Sequence, residues 1–196
     1  TCHLWEEIRS TDLFWNRLTM KKALLMGADL ATTMGDATSA ATYTATAAKI
    51  DDALASHWNG NCVLSEVGGD RPRDGSLFVG FNSGFNEADA RYSLLSLLNV
   101  DSTVNEFNIA FCAEYKINQV DQDSEIPGIL IGRYPGDGYA GGNPWVLATA
   151  ALGQLLYRAL YQYSQALAVE FPADVAGIAE VFAAAGDSVM HTHTHT

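Results

Sequence analysis

Apolar residues recur with helical spacing over most of the chain. They fall at Leu18, Ala23, Leu24, Leu25, Ala28 and Leu30, and Gly35-Asp36 follows in the way a helix end prefers, which predicts a helix over 13–34. A second helix is predicted over 38–58, where Ala41, Ala45, Ala48, Ile50, Ala53 and Leu54 recur, although Thr42, Thr44 and Thr46 lower the propensity. Residues 59–86 shift to Gly, Asn, Arg, Pro and Asp around a short apolar piece at 77–81, and read as a long loop of the kind that is more often functional than idle. Helical spacing resumes over 87–98 and again over 103–120, and 121–143 is a loop crowded with glycine and proline. Asn143-Pro144 then reads as an N-cap followed by proline at the first helical position. The helix it opens runs to about Tyr163, is apolar almost all the way round, and is expected to be covered on most sides. A last amphipathic helix is predicted over 173–189. Helices joined by two long loops, with no sustained alternation before the extreme C-terminus, make the class all-α, and successive helix pairs of about 40 to 50 residues suit a layered α/α arrangement.

Charge narrows the partners. Eleven lysines and arginines against 23 aspartates and glutamates leave a formal net charge of -12, which argues against nucleic acid and against an anionic membrane surface. No apolar run reaches the roughly 18 residues needed to cross a bilayer, and 1–7 lack a basic start and an apolar signal segment. The chain is therefore expected to be mature soluble protein, or a piece of one. Cys2, Cys62 and Cys112 stand far apart with no CxxC spacing, so neither a thiolate metal site nor a redox pair is indicated, and one bridge with one free thiol is compatible with them.

Two segments carry chemistry. In Leu4-Trp5-Glu6-Glu7 two carboxylates stand next to an indole, and one of two adjacent glutamates against an apolar wall can have its protonated form favoured by desolvation and by its neighbour's charge. Such a group can serve as a general acid, although the same residues also commonly open an amphipathic helix. Ile131 to Trp145 is denser: Arg133, Asp137, Tyr134, Tyr139 and Trp145 share a glycine-rich loop that runs into a helix. Flat aromatic faces mixed with rigid polar groups are what sugar rings require. A third feature, the alternating His191-Thr192-His193-Thr194-His195-Thr196 tail, offers imidazoles but no supporting partner, and reads as a frayed end and not as a metal site.

Both chemical segments resemble one family. Leu4-Trp5-Glu6-Glu7, with Phe14 and Ala23-Leu24 after it, is similar to the active-site run of the glucoamylases, glycoside hydrolase family 15. Gly132-Arg133-Tyr134-Pro135-Gly136-Asp137 with Tyr139, then Gly142-Asn143-Pro144-Trp145, resembles that family's second conserved segment, and Gln154-Leu155, Tyr157 and Ala159-Leu160-Tyr161 continue the likeness into the helix. His3 stands where the family usually has aspartate, Gly136 replaces a common glutamate, and Arg9-Ser10 replaces an Asn-Gly pair.

The resemblance implies about half of an (α/α)6 toroid, with residues 1–196 as one segment of an incomplete catalytic domain. It implies an exo-acting, inverting glucan 1,4-α-glucosidase that needs no metal or other cofactor, acts on α-glucans or oligosaccharides, and is secreted. Glu6 would be the general acid and Glu7 would hydrogen-bond the sugar. Leu4 and Arg133 would contact substrate hydroxyls, Trp5 would stack near the cleavage point, and Asp137 and Trp145 would support or line the pocket. In the family the general base follows the helix that 173–189 resembles, and an arginine–aspartate clamp precedes the Trp-Glu-Glu run. Neither segment is present, so the chain alone is expected not to release glucose. The alternative is a non-catalytic carbohydrate-binding or self-assembling module, since half a toroid exposes helix faces that the remainder of the domain or a second copy must cover.

Overall fold

The computed structural model describes residues 2–86, 97–124 and 128–170. The described residues are all-α, with no strand, as the pattern of apolar positions predicts, and their six α-helices are α1 (Phe14–Thr33), α2 (Ala37–Ala55), α3 (Ser76–Gly84), α4 (Leu97–Glu114), α5 (Lys116–Asp123) and α6 (Val146–Glu170). All but the last two residues of the helix expected over 87–98, the helix expected over 173–189 and the His-Thr tail lie outside the described residues.

Helices α1 and α2 form a hairpin joined by three residues. Gly35 takes the left-handed conformation (φ +78°) that turns the Asp36 N–H back onto the Ala31 carbonyl at 2.9 Å, and the Asp36 carboxylate then caps α2 by accepting the Ser39 N–H at 3.0 Å. Three threonines of α2, Thr42 and Thr44 exposed and Thr46 half-buried, return their hydroxyls to the carbonyls four residues back: Thr42 to Thr38, Thr44 to Ala40 and Thr46 to Thr42. A hydroxyl satisfied within its own helix explains why three β-branched residues do not end it. The hairpin is antiparallel, since Lys21 pairs with Asp51 and Arg17 donates to the Ala53 carbonyl.

The long loop expected over 59–86 contains a buried helix, which corrects the sequence reading. Gly80 and Gly84, one turn apart on α3, are the contact with α1: a Cβ on Gly80 would lie 3.1 Å from the Trp15 Cα, and one on Gly84 would lie 2.5 Å from the Leu18 Cγ. Glycine is read as a breaker in a sequence, yet here it lets two helices approach. Below this contact an aromatic file runs through the core, from Phe14 and Phe81 (4.9 Å between centroids) to Phe78 and Phe107 (4.6 Å), Phe111 and Tyr115.

The helix expected over 103–120 is two helices broken at Tyr115. Buried Asn118 holds the break together, donating its amide to the Phe111 and Leu130 carbonyls and accepting the Leu130 N–H at 2.9 Å. It thereby fixes the loop that leads into Arg133. Helix α6 starts at Val146, two residues beyond the expected proline, because Asn143 spends its side chain on the Ala140 carbonyl and not on a helix N–H. It runs seven residues past Tyr163. Only one side of α6 is covered among the described residues: Ala148, Leu152 and Leu155 are buried, while Val146, Leu147, Leu156, Tyr157 and Leu160 are exposed. Cys2, Cys62 and Cys112 form no disulfide among the described residues, and burial raises the pKa of Cys62.

Candidate active site

The Trp-Glu-Glu run is the tip of a tight turn and not the start of a helix. A single bridge pairs Cys2 with Arg9, the His3 N–H bonds the Ile8 carbonyl at 2.9 Å, and the Glu6 N–H bonds the His3 carbonyl at 2.9 Å. Closing this turn puts Glu6 at φ +61°, a conformation that costs energy in a residue with a Cβ and persists where the surroundings over-determine it. Glu6 is exposed, and its carboxylate makes no hydrogen bond or ion pair among the described residues. Leu4 and Trp5 are half-buried beside it.

Its neighbour Glu7 is exposed as well but is held by three donors. Glu7 receives the Arg133 guanidinium on Oε1, and Arg71 Nη1 (2.7 Å) and the Tyr134 hydroxyl (2.8 Å) on Oε2. Desolvation pulls the other way, but these three donors hold the Glu7 carboxyl below the usual carboxylate range.

The second segment is built around Arg133, which is buried at 4% exposure. Its Nε and Nη2 bond the two oxygens of Asp137 at 2.7 Å each, a bidentate pair, and its third donor group reaches Glu7. Arg133 holds the Asp137 carboxyl low, and Asp137 in turn raises Arg133. Local geometry makes the bidentate pair: Pro135 and Gly136 (φ +80°) turn the chain between the Tyr134 carbonyl and the Asp137 N–H, as a type II turn requires of its central residues. Gly132 is needed just before it, since a Cβ there would meet the Tyr115 hydroxyl at 1.9 Å. Around the guanidinium stand four rings, with Tyr139, Trp145, Tyr134 and Trp5 at 4.8 to 6.0 Å from Cζ. Trp5 and Trp145 are 5.9 Å apart between centroids, so the two segments, 126 residues apart at Glu7 and Arg133, meet directly.

Sequence reasoning did not single out Arg71 and Asp74, which both lie in the loop between α2 and α3. Arg71 stacks on Tyr134 at 3.8 Å while bonding Glu7. Asp74 is fully buried, accepts the Trp5 indole N–H at 2.8 Å, and is pushed up by burial to about 6. The signal available for both was the functional character expected of the long loop itself. His3, noticed only as a departure from a family pattern, is buried under the turn and stays neutral, since burial and the nearby Arg71 charge lower it to about 4.

On this all-α scaffold the turn leaves the Glu6 carboxylate without a partner among the described residues, beside Trp5, while Arg71 and Arg133 hold Glu7 and Arg133 holds Asp137. Residues 2–190 match the family described as Glycosyl hydrolases family 15, and the chain belongs to that family. It is 35% identical to the glucoamylase of Blastobotrys adeninivorans over 83% of this chain and 28% of that protein. Among solved structures it is similar to the glucoamylase of Hormoconis resinae (29% identity, TM-score 0.69, 83% of this chain and 28% of that one). It is also similar to that of Saccharomycopsis fibuligera (25% identity, TM-score 0.66, 83% of this chain and 36% of that one). Those proteins have the (α/α)6 barrel fold, of which the helices here form a part. The chain spans between 26% and 34% of the length of the curated relatives it matches.

Proposed function

We propose that the protein containing this chain is an exo-acting, inverting α-glucosidase that releases glucose from the non-reducing ends of α-1,4-glucans. Residues 1–196 would be one segment of its catalytic domain, and the rest of that domain would complete the cleft. The observation that carries this reading is the contrast between two adjacent, exposed glutamates: Glu7 is bound by three donors, while the Glu6 carboxylate beside Trp5 has none among the described residues. A general acid must be able to approach the glycosidic oxygen, and only an uncommitted carboxyl can. Glu6 is assigned that role.

Glu7 is assigned a hydrogen bond to the sugar through what lone-pair capacity its donors leave. Arg133 has five N–H donors, and the N–H groups that Asp137 and Glu7 do not use would meet sugar hydroxyls, with Leu4 alongside. Trp5 would stack on the ring at the cleavage point, Trp145 would line the pocket, and Asp137 would hold Arg133 rigid. Inversion requires a second carboxylate about 6.5 to 9.5 Å from the acid, with a water between. Glu7, Asp74 and Asp137 are engaged by donors, so the base is assigned to a part of the protein outside the described residues. No step in this scheme calls for a metal. Secretion fits an acidic, weakly charged chain in which no described helix is long and apolar enough to cross a membrane.

The test is glucose release from maltose and soluble starch by the full-length protein and by its Glu6→Gln variant. The variant should lose roughly 10²- to 10⁴-fold in kcat with its unfolding temperature unchanged, and the wild-type protein should release β-glucose. A Glu6→Gln variant of wild-type activity, or initial release of α-glucose, would refute the reading.

A further inference from the structure

Beneath the Glu6 turn lies a buried polar cluster that the catalytic scheme above does not use. Asp74, at the entry to α3, is fully buried. Its Oδ1 accepts two N–H groups at 2.8 Å each, the backbone N–H of Ser76 and the indole N–H of Trp5. Among the described residues its Oδ2 has no hydrogen-bond partner, and it faces the His3 Nε2 at 3.5 Å.

His3 connects that oxygen to the turn. The Trp5 backbone N–H points at the His3 Nδ1 at 3.3 Å, so Nδ1 is the accepting nitrogen and the ring proton sits on Nε2. The Nε2–H is then directed at the Ser76 hydroxyl, 3.2 Å away, with the Asp74 Oδ2 just beyond hydrogen-bond reach. A carboxylate on that side favours this tautomer. Asp74 therefore acts on both ends of Trp5, directly on the indole and through His3 on the backbone N–H. Trp5 precedes Glu6, whose N–H is tied to the His3 carbonyl and whose φ of +61° needs an external constraint.

We propose that Asp74 is a positioning residue for the glycosidic reaction, fixing through Trp5 and His3 the turn that presents Glu6. The proposal rests on the assignment of Glu6 as the acid. Its rival is a purely structural role: Asp74 bonds the Ser76 N–H at the start of α3, and a cap of that kind stabilises a helix without reference to Trp5.

A double-mutant cycle on kcat in the full-length protein separates the two. Asp74→Ala and Trp5→Phe, which removes the indole N–H but keeps a ring, should each lower kcat about tenfold with KM within about twofold, because small misplacement of a catalytic group is costly. The double variant should be no slower than the slower single variant. Losses that multiply to about a hundredfold, or a loss confined to KM or to the unfolding temperature, overturn the proposal. If Asp74→Ala does not fold, Asp74→Asn serves in its place. It keeps the Oδ1 bonds and turns an amide N–H toward the His3 Nε2–H, and is expected to lower kcat about tenfold as well. Wild-type kcat in a folded Asp74→Asn overturns the proposal. Failure of the glucosidase reading is distinguishable, since it appears as an undiminished Glu6→Gln, whereas failure here is a multiplicative cycle in an enzyme that Glu6→Gln silences.

Discussion

Acidification from pH 7 to pH 5 is expected to weaken the fold by protonating imidazoles that the folded chain keeps neutral, and His57 is the cleaner probe because it lies outside the cleft. The His57 ring is fully buried at the end of α2, edge-on to Phe14 at 5.3 Å. One face of its hydrogen bonding is a donor, with Nδ1 2.6 Å from the Leu64 carbonyl. The other is an acceptor, with the Arg17 guanidinium 2.9 Å from Nε2. A second ring proton would point at that cation. Burial, opposed by the Leu64 bond and assisted by the Arg17 charge, lowers His57 from its ordinary 6.5 to about 4. Between those values the unfolded chain binds the proton and the folded chain does not, so stability falls as pH falls through the window. At pH 5 this amounts to roughly 2 kcal/mol, and at pH 7, above both values, almost none of it remains. His3 contributes with the same sign over the same window. Asp74 opposes them, since its carboxyl, raised to about 6, takes up a proton in the folded state first and returns roughly 1 kcal/mol on the way to pH 5. The perturbation is His57→Gln, whose amide can still donate to Leu64 and accept from Arg17 but cannot titrate. Urea unfolding of both proteins at pH 7, 6 and 5 should show the variant losing about 2 kcal/mol less than wild type across the range. Parallel losses in the two proteins would refute the assignment of a His57 that stays neutral down to about pH 4.

Two further substitutions test the Arg133 loop. Arg133→Lys keeps the charge but cannot span Asp137 and Glu7 together, so thermal unfolding should come several degrees earlier and KM should rise; unchanged values would show that the bidentate pair does not matter. Gly132→Ala would place a Cβ against the Tyr115 hydroxyl and should cost about 1 to 3 kcal/mol in chemical unfolding, with much of the loss restored by adding Tyr115→Phe.

Long periodic segments were legible in the sequence because a helix repeats its apolar face. Helix α1 falls within one residue of its expected ends, and α2 begins one residue before and ends three before. Helix α3 was not legible because Gly80 and Gly84, which make its contact with α1, are the residues that normally signal a loop. The break at Tyr115 was hidden as well, since Asn118 stabilises it by reaching Leu130, a partner that periodicity does not see. In the cleft, the two motifs were legible as local runs of unusual composition. Their meeting was implied only by a family resemblance, and Arg71 and Asp74 were invisible because neither lies in a run. Each acquires its place from a contact more than sixty residues away, Arg71 from Glu7 and Asp74 from Trp5.

The same long-range contacts explain how two adjacent glutamates come to differ. From the sequence, Glu6 and Glu7 are equivalent carboxylates beside one indole. The left-handed residue at the tip of the turn breaks the equivalence: it leaves Glu6 toward solvent, while Glu7 lies against the Arg133 loop and the Arg71 loop together. Two cations also stand for the two anions Glu7 and Asp137, with Arg133 shared between them. A buried arginine with carboxylates on two sides is costly unless each is satisfied, and here the geometry is bidentate on one side and supplemented by Tyr134 on the other. The charge that remains uncompensated among these groups is that of Glu6. The arrangement spends its donors on Glu7 and Asp137 and leaves the Glu6 carboxyl without one among the described residues, which is what the proposed general acid requires.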